Sequence, residues 1–194
     1  MLVIALALLL FPLDQRGLAW FHSCPFFQGS SARRVASFFG TWGDYLTYNV
    51  PLALVLWLYG LGAKSSAWRR IAVICFLGAT LAGVFDDCFR LTLGRPRPDA
   101  HFPDGFYGFP ADLSGGFQSF PSGHAAAVFG ASMSLLVTHR PWGIVTLAYA
   151  LVVIWARLEL YRHYPSDVVV GSMVGVCIGL LVGYGAKIRF AARG

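Results

Sequence analysis

The sequence predicts an all-α integral membrane bundle of about six transmembrane helices, with an interfacial helix and one long motif-bearing loop. Three observations carry that prediction. Of the 194 residues, 57% are hydrophobic and 12% are charged, about half the charged fraction of a soluble domain. The hydrophobic residues fall in long runs, at 2–13, 46–63, 71–85, 125–137, 142–156 and 168–186. Polar and turn-forming residues gather between those runs, with no internal repeat and no linker, so a single membrane-embedded domain over 1–194 is expected.

Taken in order, run 2–13 lacks a basic flank and a small-residue cleavage site, and is expected to be a retained, shortened first span rather than a signal peptide. Residues 14–44 contain Pro25, Gly29, Ser30, Ser31, Arg33 and Arg34, which predicts a loop followed by an amphipathic interfacial helix anchored by Phe38, Phe39 and Trp42. Several later runs fall short of the roughly 20 residues that a perpendicular span needs. They are expected to lengthen into their polar flanks, which puts Arg90, His124 and Arg157 at a membrane surface. Residues 92–120, dense in Gly, Pro and Phe, form the longest extramembrane segment. A loop of that length in a compact domain is usually functional or disordered, and the motifs that bound it favour function.

A formal net charge of +6 does not point to nucleic acid, because solvated basic runs are missing. A Lys/Arg-rich cytoplasmic face beside anionic lipid accounts for it. With six spans, Lys64, Arg69, Arg70, Arg140, Lys187, Arg189 and Arg193 share one side with no acid. The other side holds every Asp and Glu, and four of its arginines (Arg90, Arg95, Arg97 and Arg157) belong to motifs. Setting those four aside, the positive-inside rule places the motif side at the periplasm or exterior of an inner or plasma membrane. Cys24, Cys75, Cys88 and Cys177 have no metal-ligand spacing, and Cys75 and Cys177 lie within apolar runs as packing residues.

Three motifs bound these runs. In RLTLGRPRP, from Arg90 to Pro98, two prolines stiffen the chain and Gly94 permits a tight turn, so that Arg90 at a helix end and Arg97 in the loop reach one point. Arginine suits a phosphate, since its planar fork gives paired hydrogen bonds and never deprotonates. A basic cluster that binds lipid headgroups fits this string equally well. In PSGH, from Pro121 to His124, Ser122 is a natural N-cap, Gly123 lets the backbone approach an anion, and His124 stands in the first turn beside it. Alone, this is also an ordinary helix cap. In the third, Arg157 to Asp167, His163 and Asp167 are four apart and share a helix face if Pro165 starts a helix nearby. A carboxylate on one imidazole nitrogen would sharpen the other as a nucleophile, whereas a surface pair would add only a few tenths of a kcal/mol. Asp86 and Asp87, at pairing distance from Arg90, are expected to neutralise and aim it.

Together these motifs resemble the type 2 phosphatidic acid phosphatase family, which shares its site with vanadium haloperoxidases. The family pattern is Lys-x6-Arg-Pro, Pro-Ser-Gly-His and Ser-Arg-x5-His-x3-Asp. Here Arg97 and Pro98 supply the first Arg-Pro with Arg90 in the place of lysine, Pro121 to His124 match fully, and Arg157, His163 and Asp167 match with Ala156 in the place of serine. The resemblance implies a membrane lipid phosphatase without cofactor or metal, acting on a lipid phosphate or pyrophosphate. His163 would form a phosphohistidine, Asp167 would orient it, and His124 would protonate the leaving group. Arg90, Arg97, Arg157, Ser122 and the Gly123 N–H would hold the phosphate. Ala156 would lower activity without abolishing it. A lipid phosphotransferase shares the first half-reaction, and a non-catalytic transporter accounts for helices and arginines but has no need of a His-x3-Asp pair beside PSGH.

Overall fold

The computed structural model describes residues 10–24, 29–109 and 115–191, and the described residues are helical with no strand. The chain enters through a short 3-10 turn, Phe11–Leu13, then α1 (Asp14–Ser23) and α2 (Ser30–Trp42). A five-residue π-type turn, Tyr45–Asn49, leads into α3 (Val50–Gly62). Then follow α4 (Ser66–Leu93), α5 (Gly123–Thr138), α6 (Arg140–Glu159) and α7 (Pro165–Ala191).

The apolar runs from residue 71 onward each lie within one of these helices, and run 46–63 spans the π-type turn and α3. Run 2–13 lies outside the described residues except for its last four, which form the end of a helical turn and the 3-10 turn. Three helical stretches are long and apolar enough to cross a membrane: Ser66–Ala100, Arg140–Glu159 and Pro165–Arg189. The bent pair Ser30–Trp42 and Thr47–Gly62 is a further candidate span. This is a multi-pass, all-α membrane architecture.

Helix α5, expected as one of the spans, is buried along most of its length. It is 16 residues long, and its residues from Ala125 to Ser132 are all buried. It is the axis of the bundle, packed by α4, α6 and α7. Small side chains make this possible. Gly171, Gly175, Gly179 and Gly183 stand one turn apart on α7, and a Cβ on any of them would collide with α5 at Ser122, Ala126, Gly130 or Val137. Gly78 of α4 meets Gly130 of α5 from the other side. Close backbone approach of this kind gives packing where lipid supplies no hydrophobic driving force.

Residues 14–44 form two helices where a loop and one helix were expected. In α2, Phe38 and Trp42 are exposed as anticipated anchors, but Phe39 turns inward onto Tyr149, with ring centroids 5.8 Å apart. The segment after α4 carries its own small core. Phe102 and Tyr107 pack on Phe117, and Phe106 packs on both Phe11 and Phe120. Those contacts explain the density of phenylalanine there.

Helix directions alternate, so the C-terminal ends of α4 and α6 and the N-terminal ends of α5 and α7 meet at one end of the bundle. The motifs occupy that end. Helix α4, about 42 Å long at 1.5 Å per residue, carries Arg90 in its last turn and stops at Gly94, which adopts the left-handed conformation (φ 61°) that glycine accepts without strain.

Candidate active site

The three motifs converge. Arg90, Arg97, Arg157 and His163 all lie within electrostatic reach of His124. Each comes from a different support: Arg90 from α4, Arg97 from the loop after it, His124 from the first turn of α5, Arg157 from the last turn of α6, and His163 from the connection to α7.

His163 is buried, and its Nδ1 stands 2.8 Å from the carbonyl oxygen of Ser119. A carbonyl only accepts, so this contact places the proton on Nδ1 and leaves the lone pair on Nε2. The sequence led us to expect Asp167 in that role. Its Oδ2 is 3.8 Å from Nδ1, and its hydrogen bonds go elsewhere. Arg95 Nη1 donates to Oδ1 at 2.6 Å, while Ser119 Oγ and the Tyr164 N–H donate to Oδ2 at 2.5 and 2.7 Å. Asp167 therefore acts on the imidazole through Ser119, whose hydroxyl it fixes and whose carbonyl holds the ring. Burial, followed by the positive charges of Arg157 and Arg97, keeps the His163 imidazole well below the ordinary histidine range, so it is neutral near pH 7.

Behind Asp167 lies a cage that the motifs did not announce. Arg95 has no exposed surface and spends its guanidinium on Asp104, Asp14, Asp167 and the Ser166 hydroxyl, all at 2.6–2.9 Å. Its charged plane is sandwiched between the rings of Phe11, at 4.4 Å, and Tyr164, at 4.2 Å. Asp14 also accepts from the Ser166 N–H and hydroxyl. Such a buried ionic group is tolerable because every partner is satisfied. Arg95 stood inside the first motif without an assigned role, and Asp14 was a lone acid at the end of an apolar run.

The phosphate-binding candidates show the opposite pattern. Ser122 occupies the N-cap position of α5, yet its side chain caps nothing, and its buried Oγ has no hydrogen-bond partner. The Nε atoms of Arg90, Arg97 and Arg157 are likewise buried without a partner. Buried polar atoms left unpaired are rare in folded proteins. Here four hydrogen-bonding groups, three of them cationic, surround one helix N-terminus, and a tetrahedral oxyanion satisfies that combination. Arg90 is aimed by Asp87, to which its Nη2 donates; Asp86 makes no hydrogen bond, and its charge lies within electrostatic reach of Arg90. Asp44, at the end of α2, was not singled out by the sequence. Its Oδ1 lies 3.6 Å from His124 Nε2 and places an anion beside that imidazole. Ala156, where serine was expected, is fully buried in the helix packing.

This is the fold of a membrane phosphatase, as comparison with known proteins shows. Residues 71–189 match the sequence profile of the PAP2 superfamily. The chain is 32% identical over 154 residues to YbjG of Escherichia coli K12, provisionally named an undecaprenyl-diphosphatase, covering 78% of this chain and 71% of that protein. It is 35% identical over 116 residues to a lipid A 1-phosphatase of Rhizobium johnstonii, covering 57% of this chain and 46% of that one, so it spans about half the length of that relative. Among solved structures, LpxE of Aquifex aeolicus superposes with a TM-score of 0.64 at 21% identity, over 86% of this chain and 93% of that one. A PAP2-type phosphatidylglycerolphosphate phosphatase of Bacillus subtilis superposes with a TM-score of 0.63 at 18% identity, over 98% and 93%. The chain belongs to the PAP2 superfamily and is a membrane lipid phosphatase.

Proposed function

We propose that this protein hydrolyses a lipid phosphate or lipid pyrophosphate through a phosphohistidine on His163, without a metal. The observation that carries the proposal is the set of buried, unpartnered groups on Arg90, Arg97, Arg157 and Ser122, gathered around the start of α5 and beside a neutral, oriented imidazole.

In the first half-reaction the lone pair on His163 Nε2 attacks phosphorus and the bond from phosphorus to the leaving oxygen breaks. That oxygen takes the bonding pair, and His124 gives it a proton. The three guanidinium groups, Ser122 Oγ and the Gly123 N–H hold the equatorial oxygens, whose charge needs electrostatic stabilisation in the transition state. In the second half-reaction water gives a proton to His124 and its oxygen attacks phosphorus. The N–P bond returns its electrons to Nε2, and inorganic phosphate leaves. Asp167, Ser119 and Arg95 hold the ring rather than touch the substrate. The names of the relatives favour an isoprenoid diphosphate or a lipid A phosphate as the substrate class. The acid-free cation cluster at the far end of the bundle favours a site that faces away from the cytoplasm.

The test is phosphate release in detergent from undecaprenyl pyrophosphate, a lipid A phosphate, phosphatidate and phosphatidylglycerophosphate. Turnover on at least one, retained in excess chelator, blocked by vanadate and abolished in His163→Ala, is expected. A His163→Ala protein with wild-type turnover, or activity that chelator removes and a divalent ion restores, would refute the mechanism.

A further inference from the structure

Asp86 is the buried ionisable side chain at this site that the chemistry above leaves idle. It stands one turn before Arg90 on α4, has no exposed surface, and neither Oδ1 nor Oδ2 has a hydrogen-bond partner. It was expected to help aim Arg90. Asp87, half exposed at the rim, makes the hydrogen bond to Arg90. Asp86 points instead at the start of α5: a Cβ built on Gly123 would lie 3.3 Å from Arg90 Nη1 and 3.4 Å from Asp86 Oδ2. The carboxyl thus sits against the Gly123 backbone, beside a guanidinium assigned to the phosphate. Its charged neighbours are Arg90, Asp87 and Asp167.

The other unpartnered groups around this point are the Nε–H of Arg90, Arg97 and Arg157 and the Ser122 hydroxyl, all able to donate. Among them the Asp86 carboxylate alone can only accept. A carboxylate facing a fully ionised oxyanion is repelled by it. Inorganic phosphate, the product of the proposed reaction, is different: near neutral pH it is a mixture of its mono- and dianion, each of which still carries a P–OH that donates. Sulfate at the same pH has no proton to offer.

We propose that Asp86 accepts a hydrogen bond from the P–OH of inorganic phosphate in the cradle and so makes the cradle selective for phosphate over tetrahedral oxyanions that carry no proton. This rests on the reading that the cradle holds the phosphoryl group. Asp86 would then determine specificity by the count of protons rather than by shape, since sulfate and phosphate are nearly isosteric. No bond is made or broken in this contact, and the proton stays shared between the two oxygens.

The experiment uses the full chain in detergent at constant ionic strength, with the dephosphorylated lipid as the readout so that added phosphate does not interfere. Inorganic phosphate and sulfate are compared as inhibitors. At neutral pH the wild type should be inhibited by phosphate at about tenfold lower concentration than by sulfate, the factor one mismatched buried hydrogen bond imposes. Asp86→Asn, whose amide donates to either anion, should bring the two within about threefold. In the wild type alone, the preference should persist as pH is raised from about 7 to about 9, because the phosphate dianion keeps its P–OH throughout, so the proposal stands or falls even if Asp86→Asn does not fold. Equal inhibition by the two anions in the wild type, a preference lost between about pH 7 and about pH 9 although the phosphate dianion keeps its P–OH, or a tenfold preference kept in Asp86→Asn would each overturn it. Absence of turnover on every lipid would instead refute the proposed function, and the two failures are separable.

Discussion

Asp14 belongs to no motif and lies at the beginning of α1, yet Asp14→Ala should disable the site. The substitution removes the acceptor of three buried hydrogen bonds, from Arg95 Nη2, the Ser166 N–H and the Ser166 hydroxyl. It leaves the Arg95 cation one carboxylate short in a place without solvent. Breaking a buried ion pair from one side costs about 3–5 kcal/mol, a large part of the roughly 5–15 kcal/mol that holds a domain folded. At about 2–4 °C per kcal/mol for a chain of this size, unfolding should move down by about 6–20 °C. Arg95 and Ser166 both flank Asp167, so turnover should fall at temperatures where the protein is still folded, with kcat reduced more than KM. Asp14→Asn keeps an oxygen for the Ser166 N–H and should lose about half as much. Tryptophan fluorescence on heating in detergent, with lipid phosphatase assays well below the transition, measures both. An Asp14→Ala protein that unfolds within about 2 °C of the wild type and turns over at the wild-type rate would show that the cage does not support the site.

Arg90→Lys should retain much of the activity and Arg90→Ala about one to ten per cent, since a hydrogen bond from a charged group to the transition state contributes roughly 1.5–3 kcal/mol; a steady-state assay of both variants decides, and an active Arg90→Ala would reduce Arg90 to the partner of Asp87. His163 should give kcat/KM an acid limb below its ordinary value of 6.5, because a depressed pKa keeps the nucleophile neutral until the pH falls further; a limb at or above 6.5 would contradict the burial argument. The same depression means that the unfolded chain binds that proton more readily, so stability from this group is present above pH 6.5 and is lost as pH falls towards the folded value. On a background without native cysteines, Phe109→Cys in the long loop should react with a membrane-impermeant thiol reagent in intact cells and Ala63→Cys, between α3 and α4, should not; the reverse pattern would turn the site towards the cytoplasm.

Much of this architecture was legible as pattern. Apolar runs located every described membrane helix from α3 onward, and the motif spacing named residues that the fold brings together. Other features left no such trace. The imidazole of His163 is held by the carbonyl of Ser119, and a backbone oxygen has no letter in the sequence. The bond between Asp14 and Ser166 spans 152 positions, with no local periodicity to announce it. Helix α5 read as one more span because alanine and valine are apolar wherever they lie; only the glycines opposite it on α7 mark it as the axis. Helix α1 mixes Asp14, Gln15, Arg16 and Gly17 with aromatics and has little helical signature of its own, so tertiary contacts decide its shape. Asp86 and Asp87 look alike as letters, and the turn of α4 sends one to the rim and the other to the interior.

The glycines of α7 have a consequence for how such a protein tolerates change. Gly171 abuts the backbone of Ser122, and the three below it hold the rest of α5 at the same close range. The position of the phosphate cradle is thus set by a zipper of bare backbone that continues to the far end of the helix pair. A methyl group added at Gly183, more than two turns from the chemistry, forces two rigid cylinders apart or makes one slide along the other, and the cradle moves with it. Substitutions there should behave as active-site lesions despite touching nothing polar, whereas bulky replacements on the outward faces of the same helices should pass unnoticed. Tolerance in this bundle therefore follows the azimuth of a residue around its helix more closely than its depth or its distance from His163.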